Sequence, residues 1–410
     1  MLLKVFFVVK FFIVTVNGML DNNVCTKWDS YYFMPLSKNC YHDPDFSSNT
    51  PEIIERHLGK GTVENYTVTT EDGYILTAFR IVRKNPKGVI VLGHPLAVDG
   101  IIWVAEGNAS LAFTLWRLGY EVWLTNNRGT YYSEEHVNLT VNNIKYWDFS
   151  YHELGVYDLP VFTEKISETS NSTELIYVSH STGSTAATIY ASLLPEHAKK
   201  HYKVSIMMAP PVFMKHSTGI SRSLCTYIFC PLSPILRFLG IGGLFTKNSL
   251  SKALTKILVI MPSKRWFVFL DLFFSGITPG QVDPKLFNLI FSLIPRGLSL
   301  KVMYHFCQAY FSWDFLMWDY GKKENLRKYN STKPPRYPLQ KIQIPIHFIT
   351  SKNDLIATSQ DSDTLWNALP DVAKIYGRTD ISGLNHVDFF VGKDRYSLAY
   401  DHVLDLLRKM

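Results

Sequence analysis

Short apolar runs alternate with amphipathic stretches along most of the chain, and this alternation predicts strands separated by helices. Residues 62–82 alternate hydrophobic and polar positions around Glu71-Asp72-Gly73, a turn signal that is typical of a β-hairpin. Buried strands are predicted at residues 88–93 and 120–127. Between them, apolar residues at helical spacing predict a helix over residues 108–119 that ends at its final glycine.

The same alternation continues towards the C-terminus. Further strands are predicted at residues 174–179, 204–208, 344–350 and 372–376, and further helices at residues 153–166, 182–194, 360–369 and up to residue 409. Pro160 is expected to kink or split the first of these helices. Strands that alternate with helices are typical of a largely parallel sheet covered on both faces, so the predicted fold class is α/β.

Residues 212–298 interrupt this pattern. They lack clear strand signals and are rich in Phe, Leu and Ile, so we expect a mostly helical insertion. The most hydrophobic part, residues 257–274, is broken by Pro262-Ser263-Lys264-Arg265 and is not expected to span a bilayer. The predicted organisation is a leader (1–18), an N-terminal extension (19–61), a first core segment (62–211), the insertion (212–298) and a second core segment (299–410).

The first 18 residues have the pattern of a secretory signal peptide. Lys4 precedes an apolar run from Val5 to Val16, and Gly18 is a small residue before a cleavage point. A membrane anchor is the alternative, but the run is short and Lys10 interrupts it. We therefore expect a secreted or lysosomal protein that keeps no transmembrane segment after cleavage.

Sequons and cysteines agree with the secretory route. Five Asn-x-Ser/Thr sequons predict N-glycosylation, at Asn65, Asn108, Asn138, Asn171 and Asn330. The five cysteines indicate two local disulfides, Cys25–Cys40 and Cys225–Cys230, with Cys307 left over.

Charge and motifs argue against nucleic acid and metal. Removing the leader deletes two lysines and no acid, so the formal charge falls from +7 to +5, a diffuse excess that does not indicate nucleic-acid binding. The sequence has no Cys-x-x-Cys pair and no His-Glu-x-x-His motif, so no metal site is expected.

A candidate nucleophile lies where a predicted strand meets a helix. Ser179-His180-Ser181-Thr182-Gly183 matches the G-x-S-x-G nucleophile turn, except that serine replaces the first glycine. The added CH2OH group is expected to cost about 1–3 kcal/mol if it is overpacked, which a protein with roughly 5–15 kcal/mol of stability tolerates. A serine hydroxyl needs an imidazole to accept its proton and a carboxylate to orient that imidazole. Ser181 is therefore predicted to be a working nucleophile.

The carboxylate is expected at Asp354. In α/β sheets with this turn the order along the chain is Ser, Asp, His, and each group follows a strand. Asp354 comes just after the strand predicted at residues 344–350. Asp361 and Asp363 compete for the role but fall inside the helix that follows.

The imidazole is expected at His386, because it alone of the thirteen histidines lies in the glycine-containing loop that follows the last predicted strand. His180, beside the nucleophile, is expected to support the turn rather than act as the base. The backbone N–H of Thr182 is one expected oxyanion donor. The other is expected in the loop Gly93-His94-Pro95-Leu96-Ala97, where proline has no N–H, so we choose Leu96; a merely structural loop is the alternative.

Seven motifs carry a family resemblance: TEDGYIL (70–76), LGHPLA (92–97), NNRGT (126–130), WDFSYHELGVYDLP (147–160), SHSTG (179–183), KNDLIA (352–357) and NHVDF (385–389). With them, the chain resembles the acid lipase family, which includes gastric lipase and lysosomal acid lipase, from about residue 45 to the C-terminus. The resemblance implies an α/β-hydrolase fold whose helical cap, residues 212–298, covers the site. It also implies hydrolysis of neutral lipid esters without a cofactor, by Ser181, Asp354 and His386, with Leu96 and Thr182 as oxyanion donors.

Two departures from the family pattern bear on activity. Ser179 stands where the family has glycine, and Pro95 follows His94 where the family also has glycine. A non-catalytic lipid-binding or storage glycoprotein on the same fold is therefore one alternative, and a carboxylesterase for small soluble esters is another. The predicted partner of the enzyme is a lipid ester at a lipid–water interface.

Overall fold

The structure is a computed structural model that describes residues 23–33, 37–218, 222–223, 225–247, 276, 278 and 280–410. The predicted leader and the apolar run 257–274 lie outside these residues. The strands of the main sheet are β1 (Val63–Thr69), β2 (Tyr74–Ile81), β3 (Val89–Gly93), β4 (Glu121–Asn126), β5 (Leu175–His180), β6 (Tyr202–Met208), β7 (Ile346–Ser351) and β8 (Arg378–Ile381).

The sheet has the order β8-β7-β6-β5-β3-β4-β2-β1, and the short strand Glu135–His136 pairs with β2. Strands β3 to β8 pair in parallel, whereas β1 and β2 form the predicted antiparallel hairpin at one edge. This mostly parallel sheet, flanked by helices, confirms the predicted α/β class. Because parallel strands end on one side of the sheet, the residues that follow β3, β5, β7 and β8 meet there.

The central strands are buried on both faces. Every residue of β3, β4, β5 and β7 is buried. Along β3, Val89 and Val91 pack into one hydrophobic cluster, while Ile90 and Leu92 pack into the other. A near-continuous apolar run suits a strand that is covered by helices on both sides, which is why β3 lacks the alternation of an exposed strand.

Helices cover the sheet and form part of the insertion. They are α1 (Thr50–Leu58), α2 (Leu111–Arg117), α3 (Leu159–Ser170), α4 (Thr182–Leu193), α5 (Pro195–His201), α6 (Cys230–Phe238), α7 (Pro284–Leu293), α8 (Leu300–Ser312), α9 (Lys322–Tyr329), α10 (Ser359–Ala368) and α11 (Asp401–Lys409). Pro160 lies in the first turn of α3, where its missing N–H costs nothing, and a π-helical turn, Leu154–Asp158, precedes it. None of the helices in the described part of the chain is long and apolar enough to cross a membrane.

The strand predicted at residues 372–376 is wrong. The segment Asp371–Lys374 forms a 3₁₀ turn after Pro370, and the strand begins later, at Arg378. Val372 and Ile375 are exposed rather than buried in the sheet. A short apolar run does not distinguish a strand from a single helical turn, so its periodicity carried too little information.

One disulfide prediction is confirmed and the other is wrong. Cys25 pairs with Cys40, as expected. Cys230 pairs with Cys307 instead of Cys225, so the bond joins α6 to α8 across 77 residues. Ser233 of α6 also donates a hydrogen bond to the Leu300 carbonyl at the start of α8. The packing of two helices that are distant in sequence decides this pairing, which cysteine spacing does not reveal.

Candidate active site

Ser181 occupies a sharp turn between β5 and α4. Its φ of 53° and ψ of −121° are unusual for a residue with a side chain and have the strained geometry that a nucleophile elbow requires. The Ser181 N–H donates to the Met208 carbonyl, which ties the turn to β6. A Cβ on Gly183 would lie 2.8 Å from the Gly93 carbonyl oxygen, so this position has room only for glycine.

Ser179 fits into the turn without displacing it. Its side chain is fully buried, and its Oγ lies 3.0 Å from the Ser184 Oγ in the first turn of α4. Across the ladder Ser179 faces Gly93, which brings no side chain towards it. The serine therefore replaces the usual glycine with an additional hydrogen bond between β5 and α4.

The structure brings Ser181, His386 and Asp354 together in one hydrogen-bonded series. The His386 Nε2 lies 2.8 Å from the Ser181 Oγ, and its Nδ1 lies 2.7 Å from Asp354 Oδ2. Asp354 follows β7 and His386 follows β8, so both stand on the edge of the sheet where β5 delivers the serine. All three residues are buried.

Backbone donors orient the carboxylate. Asp354 Oδ1 accepts hydrogen bonds from the N–H groups of Ile356 (2.8 Å) and Ala357 (2.9 Å), which leaves Oδ2 facing the imidazole. A neutral His386 that donates from Nδ1 to Asp354 presents a lone pair on Nε2 to the serine hydroxyl. This is the tautomer that a general base requires.

The competing carboxylates lie elsewhere. Asp361 accepts hydrogen bonds from the backbone and the ring of His216, and Asp363 pairs with Arg378. Neither contacts His386. Asp361 therefore has its partner in the insertion, and Asp363 has its partner on β8.

His180 packs against His386 rather than against Ser181. The two ring centroids are 4.9 Å apart, and the rings of Phe389 and Phe390 enclose His180 from other sides. Burial, reinforced by electrostatic interaction with His386, holds the pKa of His180 well below its ordinary value. A neutral, enclosed imidazole that packs on the His386 ring is suited to a supporting role rather than to that of a base.

The two predicted oxyanion donors lie in the segments that follow β3 and β5. Thr182 is the first residue of α4, where N–H groups have no intrahelical acceptor. Leu96 lies in the loop after β3. This loop passes close to the start of α4, because a Cβ on Gly183 would lie 2.9 Å from the His94 carbonyl oxygen. In the described part of the chain neither backbone N–H has a hydrogen-bond acceptor.

Sequence reasoning missed the residues that hold the histidine loop. Asp388 is buried and accepts hydrogen bonds from the Asn385 N–H (2.8 Å) and the Thr278 hydroxyl (2.5 Å). Asn385 Oδ1 in turn accepts from the Val387 and Asp388 N–H groups. Burial raises the pKa of Asp388. Its place in the NHVDF motif, two residues after His386, was the available signal.

A buried arginine joins three of the seven family motifs. Arg128 binds Asp72 at 2.5 Å and Asp158 at 2.6 Å, and its guanidinium lies 4.0 Å from the centre of the Tyr74 ring. Its N–H also donates to Asp158. Three motifs that are distant in sequence therefore meet at one ion-pair cluster beside the end of β4.

Comparisons with known proteins agree with this geometry. The chain matches the family model described as a partial alpha/beta-hydrolase lipase region over residues 51–107, and that of the alpha/beta hydrolase fold over residues 90–218. Human Lipase member N is 30% identical over 401 residues, which cover 94% of this chain and 96% of that protein. Human Lipase member K is 31% identical over 378 residues, which cover 90% of this chain and 92% of that protein.

Two further similarities extend the comparison. Human lysosomal acid lipase/cholesteryl ester hydrolase is 29% identical over 388 residues, covering 90% of this chain and 92% of that protein. Among solved structures, an alpha/beta hydrolase fold protein from Nakamurella multipartita aligns with a TM-score of 0.50 over 84% of this chain and 99% of that chain. Its sequence identity is 10%, so this likeness shows the fold alone.

Proposed function

Because the chain belongs to the acid lipase family of α/β-hydrolases, we propose that it is a serine lipase of the secretory pathway that hydrolyses neutral lipid esters, triacylglycerol or sterol ester, to free fatty acid and alcohol. The observation that carries the proposal is the series Ser181–His386–Asp354, with contacts of 2.8 and 2.7 Å at the carboxyl edge of the sheet.

The geometry supports an acyl-enzyme mechanism. Ser181 attacks the ester carbonyl while His386 Nε2 takes its proton, and Asp354 stabilises the imidazolium that forms. The N–H groups of Leu96 and Thr182 stabilise the oxyanion of the tetrahedral intermediate. His386 then protonates the leaving alcohol, and a water molecule releases the fatty acid by the reverse path. No cofactor takes part in these steps.

An exposed apolar face on the insertion supports action at a lipid–water interface. Large hydrophobic side chains are exposed along one short stretch, at Tyr227, Ile228, Leu232, Ile235, Phe238, Leu239 and Ile241. Phe238 is 90% exposed. The opposite side of α6 is fastened by the Cys230–Cys307 disulfide and by Arg237, which binds Asp148. A cluster of exposed apolar side chains on a helix that is cross-linked to the rest of the protein suits adsorption to a lipid surface.

The secretory part of the proposal rests on the leader pattern, two disulfides and exposed sequons. The Cys25–Cys40 and Cys230–Cys307 bonds fit an oxidising compartment. The asparagines of all five sequons are exposed. Surface asparagines are accessible to glycosylation, so the structure leaves every predicted site usable.

The test is hydrolysis of a long-chain fluorogenic ester between pH 4 and 8 by the secreted protein and two variants. Ser181→Ala is expected to lose about 10⁶-fold in kcat, since the nucleophile is gone. Asp354→Asn is expected to fold normally and to lose roughly 10⁴-fold, because His386 would no longer be held in the right tautomer. Asp363→Asn, the matched control at a carboxylate outside the series, should keep its rate.

The outcomes separate the rival functions. Activity that is equal in the wild type and Ser181→Ala, together with binding of fatty acyl ligands, would favour a lipid carrier. Much faster cleavage of short soluble esters than of long emulsified ones would favour a carboxylesterase. Full activity in Asp354→Asn would mean that another carboxylate orients His386.

A further inference from the structure

The loop after β3 contains a histidine whose two ring nitrogens both have backbone partners. His94 is 4% exposed. Its Nε2 lies 3.0 Å from the Asn127 backbone nitrogen, and its Nδ1 lies 2.8 Å from the Pro95 carbonyl oxygen. Asn127 directly follows β4, the parallel neighbour of β3, so the ring spans the ends of two adjacent strands.

These partners allow one protonation state of the ring. The Asn127 N–H is a donor, so Nε2 must carry a lone pair, and Nδ1 must carry the proton that it donates to the Pro95 carbonyl. A second proton on the ring would place two donors against each other at Nε2. Burial lowers the pKa of His94, in agreement with a neutral ring.

The hydrogen bond from the His94 ring to the Pro95 carbonyl also determines where the Leu96 N–H points. The Pro95 carbonyl and the Leu96 N–H belong to the same peptide group, and in a trans peptide the two point in opposite directions. The pyrrolidine ring already restricts φ of Pro95, so the rotation left to swing this peptide is ψ of Pro95. The hydrogen bond from His94 removes that freedom.

The far end of the loop is held separately. The Arg296 N–H donates to the Ala97 carbonyl at 2.8 Å, and the Arg296 guanidinium binds the buried Asp99 at 2.7 Å. Ala97 has a positive φ of 59°, which is uncommon for a residue with a side chain. With both ends anchored, the peptide between Pro95 and Leu96 is the part of the loop whose orientation depends on His94.

We propose that His94 is a positioning residue that aligns the Leu96 N–H with the oxyanion through the Pro95 carbonyl. The inference rests on the proposed function, since it assigns a task within the same site. Because Pro95 has no backbone N–H, position 95 offers no second donor to the oxyanion. The orientation of the Leu96 N–H therefore decides whether this loop donates a hydrogen bond at all.

Two substitutions separate the two contacts of the ring. His94→Gln places an acceptor near the Nε2 position and keeps the Asn127 contact while losing the donor to Pro95. His94→Asn places an amide N–H near the Nδ1 position and keeps the donor to Pro95. His347→Gln is the matched control, because His347 is also buried, contacts the Tyr376 carbonyl at 3.1 Å through Nδ1 and lies outside the site.

The readout compares an oxygen ester with its thionoester analogue. A thiocarbonyl sulfur accepts hydrogen bonds poorly, so an aligned oxyanion donor favours the oxygen ester, and misalignment reduces that preference. His94→Gln is expected to lower kcat about 10- to 100-fold with KM changed less than about threefold, and to lower the ester-to-thionoester ratio of kcat/KM. His94→Asn should retain most of both, and His347→Gln should retain all of both.

Several results would overturn the inference. His94→Gln with unchanged kcat would do so, as would a fall in kcat with an unchanged ester-to-thionoester ratio, which is the signature of a merely structural role. If His94→Gln does not fold, a low ratio in folded His94→Asn contradicts the inference instead. If the wild type is no more active than Ser181→Ala, the proposed function is wrong. If the wild type is active in a Ser181-dependent way but the His94 variants have the same kcat, only this inference is wrong.

Discussion

Ser179 shows how a departure from a motif is accommodated at a single residue. Glycine at this position normally lets the strand and the helix approach closely. Here the neighbouring strand supplies the small residue, because Gly93 lies opposite Ser179 in the ladder. The hydroxyl of Ser179 contacts that of Ser184 at 3.0 Å. The serine is therefore accommodated by its neighbours and hydrogen-bonded, and the cost of overpacking that the sequence left open does not arise.

Replacing Ser179 by glycine is expected to lower stability and to leave catalysis nearly unchanged. The variant loses one buried hydrogen bond and gains backbone entropy in the unfolded chain, for a total of about 1–2 kcal/mol. We expect kcat within about threefold of the wild type, because Ser181 keeps its contacts to His386 and Met208. Urea unfolding and ester hydrolysis measure the two quantities. A tenfold rise in kcat would show that Ser179 does displace the nucleophile.

At the scale of an element, α6 has two unlike sides. Cys230 and Ser233 are buried towards α8, whereas Leu232, Ile235 and Phe238, three residues apart, are exposed. Side chains at this spacing share one face of a helix. The structure therefore presents an apolar helical face on the insertion, and the disulfide to α8 limits how far that face moves from the core.

Polar substitutions on this face are expected to impair lipid adsorption selectively. The double variant Ile235→Ser/Phe238→Ser removes two apolar anchors, each worth about 1.5–3 kcal/mol when fully buried. We expect at least a tenfold loss of activity on an emulsified long-chain ester and of binding to triacylglycerol emulsion droplets, with the rate on a short soluble ester unchanged.

The control for this experiment is Val372→Ser/Ile375→Ser, which changes two exposed apolar residues of the second core segment. It is expected to adsorb as the wild type does. Equal losses on soluble and emulsified esters in the α6 variant would instead indicate damage to the active site. An unchanged adsorption would show that another surface binds the lipid.

At the scale of the whole molecule, buried ion pairs connect distant segments. Glu106, after β3, binds Arg395, near the C-terminus, with one contact of 2.8 Å, and both side chains are buried. Burial raises the pKa of Glu106 to about 7, although Arg395 opposes the change. Burial likewise raises the pKa of Asp158, beside Arg128, to about 6. Both carboxyls therefore bind protons more readily in the folded protein than in the unfolded chain.

For Glu106, the raised pKa makes the folded protein more stable at acidic than at neutral pH. A raised folded pKa contributes stability that is complete below the ordinary value of about 4.5 and is lost as the pH rises through about 7. The gap, defined as the unfolding free energy of the wild type minus that of Glu106→Gln, should therefore be larger at pH 5 than at pH 7.5. Thermal unfolding at both pH values measures it, with the exposed Glu64→Gln as control. A gap that widens towards pH 7.5 would contradict the assigned pKa.

The sequence by itself determined the features that rest on local pattern. The order of strands and helices follows from periodicity, and Ser181, Asp354 and His386 were singled out because each follows a strand. In a parallel sheet such positions meet at one edge whatever the details of packing. The hairpin at Glu71-Asp72-Gly73 follows from turn chemistry in the same way. These inferences needed only neighbours along the chain.

Only the tertiary structure decided the features that depend on distant segments. Cys230 pairs with Cys307 because α6 packs on α8, and the last strand begins at Arg378 because residues 371–374 form a turn outside the sheet. The links from His94 to Asn127 and from Arg296 to the loop after β3 likewise join segments 33 or more residues apart. Such contacts form when packed helices and strands bring their surfaces together, and local periodicity carries no record of which surfaces those are.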